Sequence, residues 1–285
     1  MLPATHMNSW YPSGRRLDQM LTEAYNEAKI SNGKGLIKAI IVPHAGYVYC
    51  VRTSMHAFRN LDPSAYDRVF VLGPSHHIGM SYCTIANATS AESPYGEIPF
   101  DTDVCNKLTT TYPSLFKKLD IETASEEHSM EMEFPLLKFV FKDKPFKIVP
   151  IMVGQLSFEA CQSTANAISQ FVKDQRTLLV ISSDFCHWGA RFGYSYLPNV
   201  DGQVFEKIRN LDQEGGKMIS SGDPKCFKDY LDSTRNTICG RNAILIMMFI
   251  FQGKHAEFLN YSQSSQITSK NDSSVSYYSA ILRDE

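Results

Sequence analysis

The segment Thr177-Leu-Leu-Val-Ile181, followed by Ser182-Ser-Asp-Phe-Cys-His-Trp-Gly189, shows how this chain is built. A short, almost wholly apolar run is typical of a strand that is buried on both faces, and polar residues follow it at once. The same arrangement occurs at Ile37–Val42, which leads into Pro43-His-Ala-Gly-Tyr47, and at Arg68–Leu72, which leads into Gly73-Pro-Ser-His-His77. These segments predict parallel strands with polar side chains in the turns that follow them.

Helical patterns separate the predicted strands along the whole chain. Helices are predicted near residues 17–28, 53–60, 103–111, 129–141, 157–172, 200–211, 224–231 and 241–252, with further strands at 147–152, 257–261 and 275–282. Strands that alternate with helices predict an α/β fold, here a three-layer sandwich with a central, largely parallel (mixed) sheet and helices on both faces. No linker-like stretch divides the sequence, so we expect residues 1–285 to form a single domain.

Composition narrows the classes of protein to consider. A hydrophobic content of 43% with 20% charged residues is typical of a folded protein. The 28 Lys and Arg residues against 30 Asp and Glu residues, without a basic cluster, argue against nucleic-acid binding. The longest apolar run, Ala243–Phe251, is too short for a membrane span. Seven scattered cysteines favour reduced thiols, and without a visible secretory signal we expect a cytoplasmic or nuclear location.

Four of the eight histidines lie in the turns that follow the predicted strands. Parallel strands end at one edge of a sheet, where open α/β proteins bind their ligands. We therefore expect His44, His76, His77, His187 and Asp184 to lie near one another. A single histidine after a strand is more often a hydrogen-bonded structural residue, but several neutral imidazoles in one pocket form a donor set that transition metals prefer.

Two further positions are candidates for chemistry. Cys239 precedes the apolar helix and is followed by glycine and arginine, surroundings that favour a thiolate, although burial as a small apolar side chain is the commoner fate of cysteine. His128 and Glu131 share one face of a predicted helix and either orient metal ligands or belong to a helix start capped by Ser129. No nucleotide-binding glycine motif, G-x-S-x-G string or H-E-x-x-H string occurs.

Several short strings in the sequence resemble, jointly and in order, those of the Memo family (mediator of ErbB2-driven cell motility). They are Ser9-Trp-Tyr11, Pro43–Tyr47, Leu72–His77, Glu127–Glu131, Ser182–Gly189, Asn236–Arg241, Tyr261–Gln266 and Asp272–Tyr277. The resemblance extends from about residue 6 to residue 282. It implies a fold similar to that of class III extradiol dioxygenases, the non-haem iron enzymes that open catechol rings, and a link to cell motility and growth signalling.

The resemblance also implies a metal site. Its ligands would be His44, His76 and Cys239, with Asp184 and His187 beside them in proton-transfer or ligand-positioning roles. The implied ion is iron or copper, with zinc as a further candidate. A thiolate in place of the carboxylate of the dioxygenases favours softer ions, so ring-opening activity does not follow from the fold alone.

The surroundings of this site are implied in the same way. Around the ligands, or along the cleft, we expect His6, Trp10, His77, His128, Glu131, Trp188 and Arg241. Two features depart from the family pattern. Met7-Asn8 replaces a pair of small residues, which predicts a reshaped entrance, and Glu133 stands where His or Gln is common, which changes the surroundings of His128 and Glu131.

Three hypotheses for function follow. The first is a metal-binding protein with a redox or signalling role in cell motility and growth. The second is an adaptor that binds a peptide, including a phosphotyrosyl peptide, in the same cleft without catalysis. Its aromatic edge would be Trp10, Tyr47, Trp188, Tyr194 and Tyr196, and its phosphate-binding candidates Arg52, Arg191 and Arg241. The third is an extradiol-type non-haem iron dioxygenase.

Overall fold

A central mixed β-sheet with helices on both faces forms the frame of the molecule, so the predicted three-layer α/β class is confirmed. The structure is a computed structural model that describes residues 1–284. One hydrophobic core cluster extends from Leu2 to Leu282. Within residues 1–284, no helix has the length and apolar character needed to cross a membrane.

The strands combine a parallel centre with antiparallel edges. They are β1 Ile37–Val42, β2 Arg68–Pro74, β3 Cys83–Ala86, β4 Ser90–Ala91, β5 Ile98–Pro99, β6 Phe116–Leu119, β7 Lys147–Val153, β8 Thr177–Ser182, β9 His187–Trp188, β10 Ala256–Gln263 and β11 Ser274–Arg283. The order in the main sheet is β10-β11-β1-β8-β2-β7-β3-β6, with β9 paired to β11, while β4 and β5 form a separate pair. Strands β1, β8, β2 and β7 are mutually parallel, whereas β11 and β3 flank them in antiparallel orientation.

The helices cover both faces of this sheet. They are α1 Gly14–Glu27, α2 Tyr47–Phe58, α3 Thr102–Thr111, α4 Ile121–Ser125, α5 Phe134–Phe141, α6 Phe158–Val172, α7 Val204–Ser220, α8 Pro224–Thr234 and α9 Arg241–Ile250. Short 3-10 helices lie at Pro63–Ala65, Glu131–Glu133 and Ala190–Phe192. Helix α2 packs on β1, β10 and β11 with α1 outside it, and α6 packs with α9 against β8.

Three helix predictions differ clearly from the structure; one is α7, predicted over 200–211, which extends over Val204–Ser220. Helix α2 begins at Tyr47, well before the predicted start at residue 53, because the backbone N–H of Tyr47 donates to the carbonyl oxygen of Trp10 at 3.0 Å. The predicted helix over 129–141 is divided into a 3-10 turn and α5. Ser129 is not its cap, since its hydroxyl donates to the carbonyl oxygen of Pro74 at 2.8 Å.

The parallel centre of the sheet positions the site. Val42 at the end of β1 is paired with Ser182 at the end of β8, and Leu72 near the end of β2 is paired with Ile181. The turns after these three strands therefore leave the sheet at one edge, as the sequence predicts. The strands themselves are buried almost throughout, which holds the turns on a rigid base.

Candidate metal site

Three histidines meet at this edge of the sheet. The turns after β1 and β2 carry His44 and His76, and the segment before the Glu131–Glu133 turn carries His128. One ring nitrogen from each lies within 4.8 Å of the others. Ring centroids are 5.3 Å apart for His44 and His76, and 4.7 Å apart for His76 and His128. From the sequence, His128 is expected around the site and not among its ligands, but its imidazole lies within the same cluster as those of His44 and His76.

Cys239 joins this cluster from the turn before α9. Its sulfur lies 3.3 Å from Nε2 of His44. The backbone N–H of Asp184 donates to the same sulfur at 3.2 Å. Imidazole nitrogen and thiolate sulfur are ligands for copper, zinc and iron, so the chemistry of the donors fits the ions implied by the sequence. The role of Cys239 as a ligand stays a prediction.

Hydrogen-bond partners fix the orientation of two of the imidazoles. Nδ1 of His44 lies 2.8 Å from the hydroxyl of Ser182, and Nδ1 of His76 lies 2.9 Å from a carboxylate oxygen of Glu127. Glu127 also accepts from the backbone N–H groups of His76 at 2.6 Å and Ser129 at 2.8 Å. A partner at Nδ1 leaves Nε2 free to bind a metal, which is the usual environment of histidine ligands in metalloproteins. Sequence reasoning missed Ser182 and Glu127 in these roles, although Glu127 lies next to His128.

The protonation states of the histidines differ with their surroundings. Burial lowers the pKa of His44, and the neighbouring histidines lower it further. Burial also lowers the pKa of His128. Burial opposes a charge on His76 as well, but hydrogen bonds to Cys239 and Glu127 outweigh it and raise its pKa to about 10. A metal ion at this site therefore has to displace a proton from His76.

Asp184 and His187 lie beside the cluster with properties that suit proton transfer. Oδ1 of Asp184 accepts from the backbone N–H of His44 at 3.0 Å, and burial raises the pKa of this carboxyl to about 7. Nδ1 of His187 lies 3.0 Å from the carbonyl oxygen of Phe185, and burial lowers the pKa of the ring. A neutral imidazole with a free Nε2 and a carboxyl that titrates near neutral pH are effective proton acceptors and donors.

Two cavities reach the cluster. The larger, about 590 Å³, is lined by His44, His76, His128 and Asp184 and by the rim residue Arg191. The smaller, about 290 Å³, is lined by His76, Cys239, His187 and Arg241. His76 and His187 line both cavities, so an ion bound at the cluster would be accessible to a second ligand.

The N-terminal segment closes one side of the larger cavity. The backbone N–H and Nδ1 of His6 contact the carboxylate of Glu131 at 2.9 and 2.8 Å, and the Tyr11 hydroxyl donates to it at 2.7 Å. The Trp10 ring lies 4.2 Å from the ring of His128 and lines the cavity. Glu131 thus anchors this segment and neither orients His128 nor caps a helix.

Several residues predicted for the cleft have other environments. The indole of Trp188 is fully buried, with Nε1 donating to the carbonyl oxygen of Tyr196, so Trp188 does not edge the cleft. Tyr47 is also buried and donates to the carbonyl oxygen of Met132. Arg52 pairs with Glu27 on the surface. These predictions were wrong because sequence order does not show which way a side chain points.

The remaining residues predicted for the cleft lie outside the histidine cluster. The ring of His77 is exposed and lies 6.5 Å from that of His128. Tyr194 is largely buried, and its hydroxyl donates to the carbonyl oxygen of Thr234. Met7 packs against the core, and Asn8 adopts a left-handed conformation with φ of 68°. In the part of the chain that the structure describes, neither Met7 nor Asn8 lines the larger cavity, so the reshaped entrance predicted from this pair has no support.

Comparison with known proteins places this chain in a family. Residues 3–281 match the sequence profile of the family described as Memo-like protein. The chain belongs to the Memo family. Among Memo relatives, the memo-1 homolog of Caenorhabditis elegans is 40% identical over 98% of this chain and 81% of its own length. The MEMO1 proteins of Xenopus laevis and Homo sapiens are 38% and 37% identical, each over 98% of this chain and 96% of their own length.

The fold of this Memo chain also resembles that of a solved structure. The crystal structure of an uncharacterized protein from Escherichia coli K12 superposes with a TM-score of 0.50 at 10% sequence identity. The match covers 84% of this chain and 98% of the bacterial one. At this level of identity the likeness concerns the fold alone.

Proposed function

We propose that this Memo-family protein binds an iron or copper ion through His44, His76 and Cys239 and has a redox or signalling role in cell motility and growth. The observation that carries the proposal is the convergence of the three side chains, with the Cys239 sulfur 3.3 Å from Nε2 of His44. Zinc is a further candidate for the same donors. The protein's part is to hold these donors in place and to keep the site open to solvent.

His128 gives the site a choice of donors. His44 and His76 are common to a set completed by Cys239 and to a set completed by His128. A thiolate favours copper(I) or zinc, whereas imidazole nitrogen suits copper, iron and zinc alike. A site that uses all four side chains would be closed, like structural zinc sites, and one that uses three would keep a position for a substrate.

A bound ion would supply redox or Lewis-acid chemistry to a second ligand in the cavity. The chain's own groups would handle protons around it. Asp184, with its pKa raised to about 7 by burial, would exchange a proton near neutral pH. Burial lowers the pKa of His187 and so favours its neutral form. Its Nδ1 is hydrogen-bonded to the carbonyl oxygen of Phe185, which leaves Nε2 as the proton acceptor.

Metal analysis of protein purified without an affinity tag tests the proposal. Wild type, His44→Ala, Cys239→Ser and His128→Asn would be loaded anaerobically with iron(II) or copper(I) and freed of excess ion. His77→Asn is the matched control, because His77 lies outside the cluster. We expect His44→Ala to lose bound metal, Cys239→Ser to lose copper(I) affinity more than iron(II) affinity, and the control to match wild type. Equal metal content in all variants would contradict the proposal.

A second candidate function is recognition of a phosphotyrosyl or other signalling peptide. It is supported by the lining of the larger cavity, which includes Arg191, the aromatic residues Trp10 and Tyr49, and the hydroxyl residues Ser264 and Ser274. Arginine forms the bidentate contacts that phosphate groups require. Calorimetry with phosphorylated and unphosphorylated forms of one peptide, on wild type and Arg191→Ala, tests this. Equal affinity for both forms would contradict phosphate recognition.

Extradiol-type dioxygenase activity is the third candidate. The fold that the Memo resemblance implies is the reason to consider it, but sulfur from Cys239 differs from the carboxylate that completes the iron site of such enzymes. Oxygen uptake with catechols after anaerobic loading with iron(II) would detect the activity.

A further inference from the structure

A buried glutamate outside the metal ligands contacts the cluster through one hydroxyl group. Glu133 ends the 3-10 turn Glu131–Glu133 and is completely buried. Its Oε1 lies 2.7 Å from Oγ of Ser182 at the end of β8. The same Ser182 oxygen lies 2.8 Å from Nδ1 of His44 and 2.6 Å from the carbonyl oxygen of Ser129. The four groups form one connected network.

A count of hydrogens shows which group must supply a proton. If Nδ1 of His44 lacked hydrogen, it would be one more acceptor competing for the single hydrogen of the Ser182 hydroxyl, so Nδ1 carries hydrogen and donates to Ser182. The Ser182 hydroxyl has a single hydrogen, yet two acceptors, the Ser129 carbonyl oxygen and Glu133 Oε1, lie within 2.7 Å of it. With an ionised Glu133, one of these short oxygen–oxygen contacts would lack a hydrogen. A neutral Glu133 supplies it, and every contact is then a hydrogen bond.

The surroundings of Glu133 also oppose a charge. Among residues 1–284, no Lys, Arg or His nitrogen forms an ion pair with it, and its Oε2 has no hydrogen-bond partner. A buried carboxylate without a cation is far more costly than a neutral carbonyl oxygen without a donor. Burial raises the pKa of Glu133 well above its ordinary value; the hydrogen bond with Ser182 opposes this, and the nearby Asp184 adds to it.

We propose that Glu133 is a neutral carboxylic acid that donates to Ser182 and so holds His44 with hydrogen on Nδ1 and its lone pair on Nε2. Glu133 is a positioning residue, since it acts on the site through Ser182. The Ser182 hydroxyl in turn donates to the carbonyl oxygen of Ser129, the residue after His128. One chain of hydrogen bonds therefore sets the turn that bears His44 and the segment that bears His128.

Two substitutions of Glu133 distinguish a role as hydrogen-bond donor from a role as negative charge. In Glu133→Gln the amide N–H can replace the acid O–H as donor, so metal affinity should stay within about 3-fold of wild type. In Glu133→Leu the donor is lost at similar volume, and affinity should fall by about 10-fold or more, as for other residues that orient histidine ligands. The affinity effect rests on the proposed function, whereas the protonation of Glu133 and His44 does not.

Spectroscopy on the metal-free, full-length protein tests the inference without any metal. Nitrogen-15 NMR of the histidine side chains should show His44 as the single Nδ1–H tautomer in wild type and Glu133→Gln. Glu133→Leu and Ser182→Ala should show a mixture of tautomers. Infrared difference spectra should contain a protonated-carboxyl band in wild type that is absent from Glu133→Gln. Thr84→Val, another buried polar site and one remote from His44, is the control and should match wild type.

The spectra test the protonation of Glu133 independently of metal binding. An unchanged His44 tautomer in folded Ser182→Ala, or the absence of a carboxyl band from the wild-type minus Glu133→Gln difference spectrum, would overturn the inference. If Glu133→Leu fails to fold, Ser182→Ala and the infrared band still decide it. If the spectra agree but wild type binds no metal, the proposed function fails and the assignment of Glu133 stands.

Discussion

At the scale of single residues, the partner at Nδ1 determines what each histidine can do. Ser182 and Glu127 hold His44 and His76 with Nε2 toward the cluster, while the Phe185 carbonyl oxygen holds His187. In the proposed function, the same residue type would therefore serve as a metal ligand in two cases and as a proton acceptor in the third. Away from this site, Asp212 shows how burial changes the pKa of a side chain.

Asp212 should make stability depend on pH. Its carboxylate is fully buried on α7 and accepts from the backbone N–H of Cys186 at 3.2 Å, Asn236 at 3.1 Å and the Tyr261 hydroxyl at 2.9 Å. Burial raises its pKa to about 6, although these hydrogen bonds oppose the shift. The native carboxyl thus binds a proton more readily than the unfolded one. Its contribution to stability is complete below about pH 4 and is lost as the pH rises through about 6.

Asp212→Asn removes this titration. The free energy of unfolding of wild type minus that of the variant should fall by about 3 kcal/mol between about pH 4 and pH 7, as a shift of roughly two pKa units requires. Urea unfolding at a series of pH values measures this difference. A difference that is constant with pH would show that Asp212 has the same pKa in the folded and unfolded states.

At the scale of elements, helix starts show when local sequence is sufficient. Helix α8 begins where the sequence predicts, because Asp223 accepts from the backbone N–H of Lys225 at 2.9 Å and Pro224 occupies the first turn. Helix α2 begins where the sequence does not predict, because its first N–H is satisfied by Trp10, which is distant in sequence.

Asp223→Ala should therefore destabilise the protein by about 1 kcal/mol, the usual effect of losing an N-cap side chain. Asp229→Ala is the matched control on the same helix. Asp229 is exposed and pairs with Lys225 one turn away, a contact that solvent screening makes weak, so the loss should be smaller than for Asp223→Ala. Urea unfolding at neutral pH gives both values. A larger loss in Asp229→Ala would mean that the ion pair, not the cap, stabilises α8.

At the scale of the whole molecule, the packing of the sheet and helices decides which thiols are accessible. All seven cysteines are free; Cys226 and Cys239 are partly exposed, and the other five are buried. A thiol reagent should therefore react quickly with two thiols in the native metal-free protein and with seven after unfolding. Bound metal should protect Cys239 and leave Cys226 reactive.

Cys226→Ser provides the control for this titration. It should show one fast thiol without metal and none with metal. Mass spectrometry of the labelled protein identifies the modified residue. Labelling of Cys239 that is equally fast with and without bound metal would exclude this sulfur as a ligand.

The sequence by itself determined the alternation of strands and helices, the parallel centre of the sheet and the meeting of His44, His76, Asp184 and His187. Apolar runs mark buried strands, and parallel strands bring the turns that follow them to one edge. The resemblance of its motifs to the Memo family also pointed to Cys239.

Only the tertiary structure placed His128 among the donors, assigned Ser182 and Glu127 to the histidines, and turned Trp188 away from the cleft. It also brought Glu133 to Ser182 across the sheet edge. These contacts join residues that are far apart in the chain, and hydrogen bonds between them depend on side-chain direction. Local sequence patterns fix the period of an element, but they do not fix the orientation of one element against another.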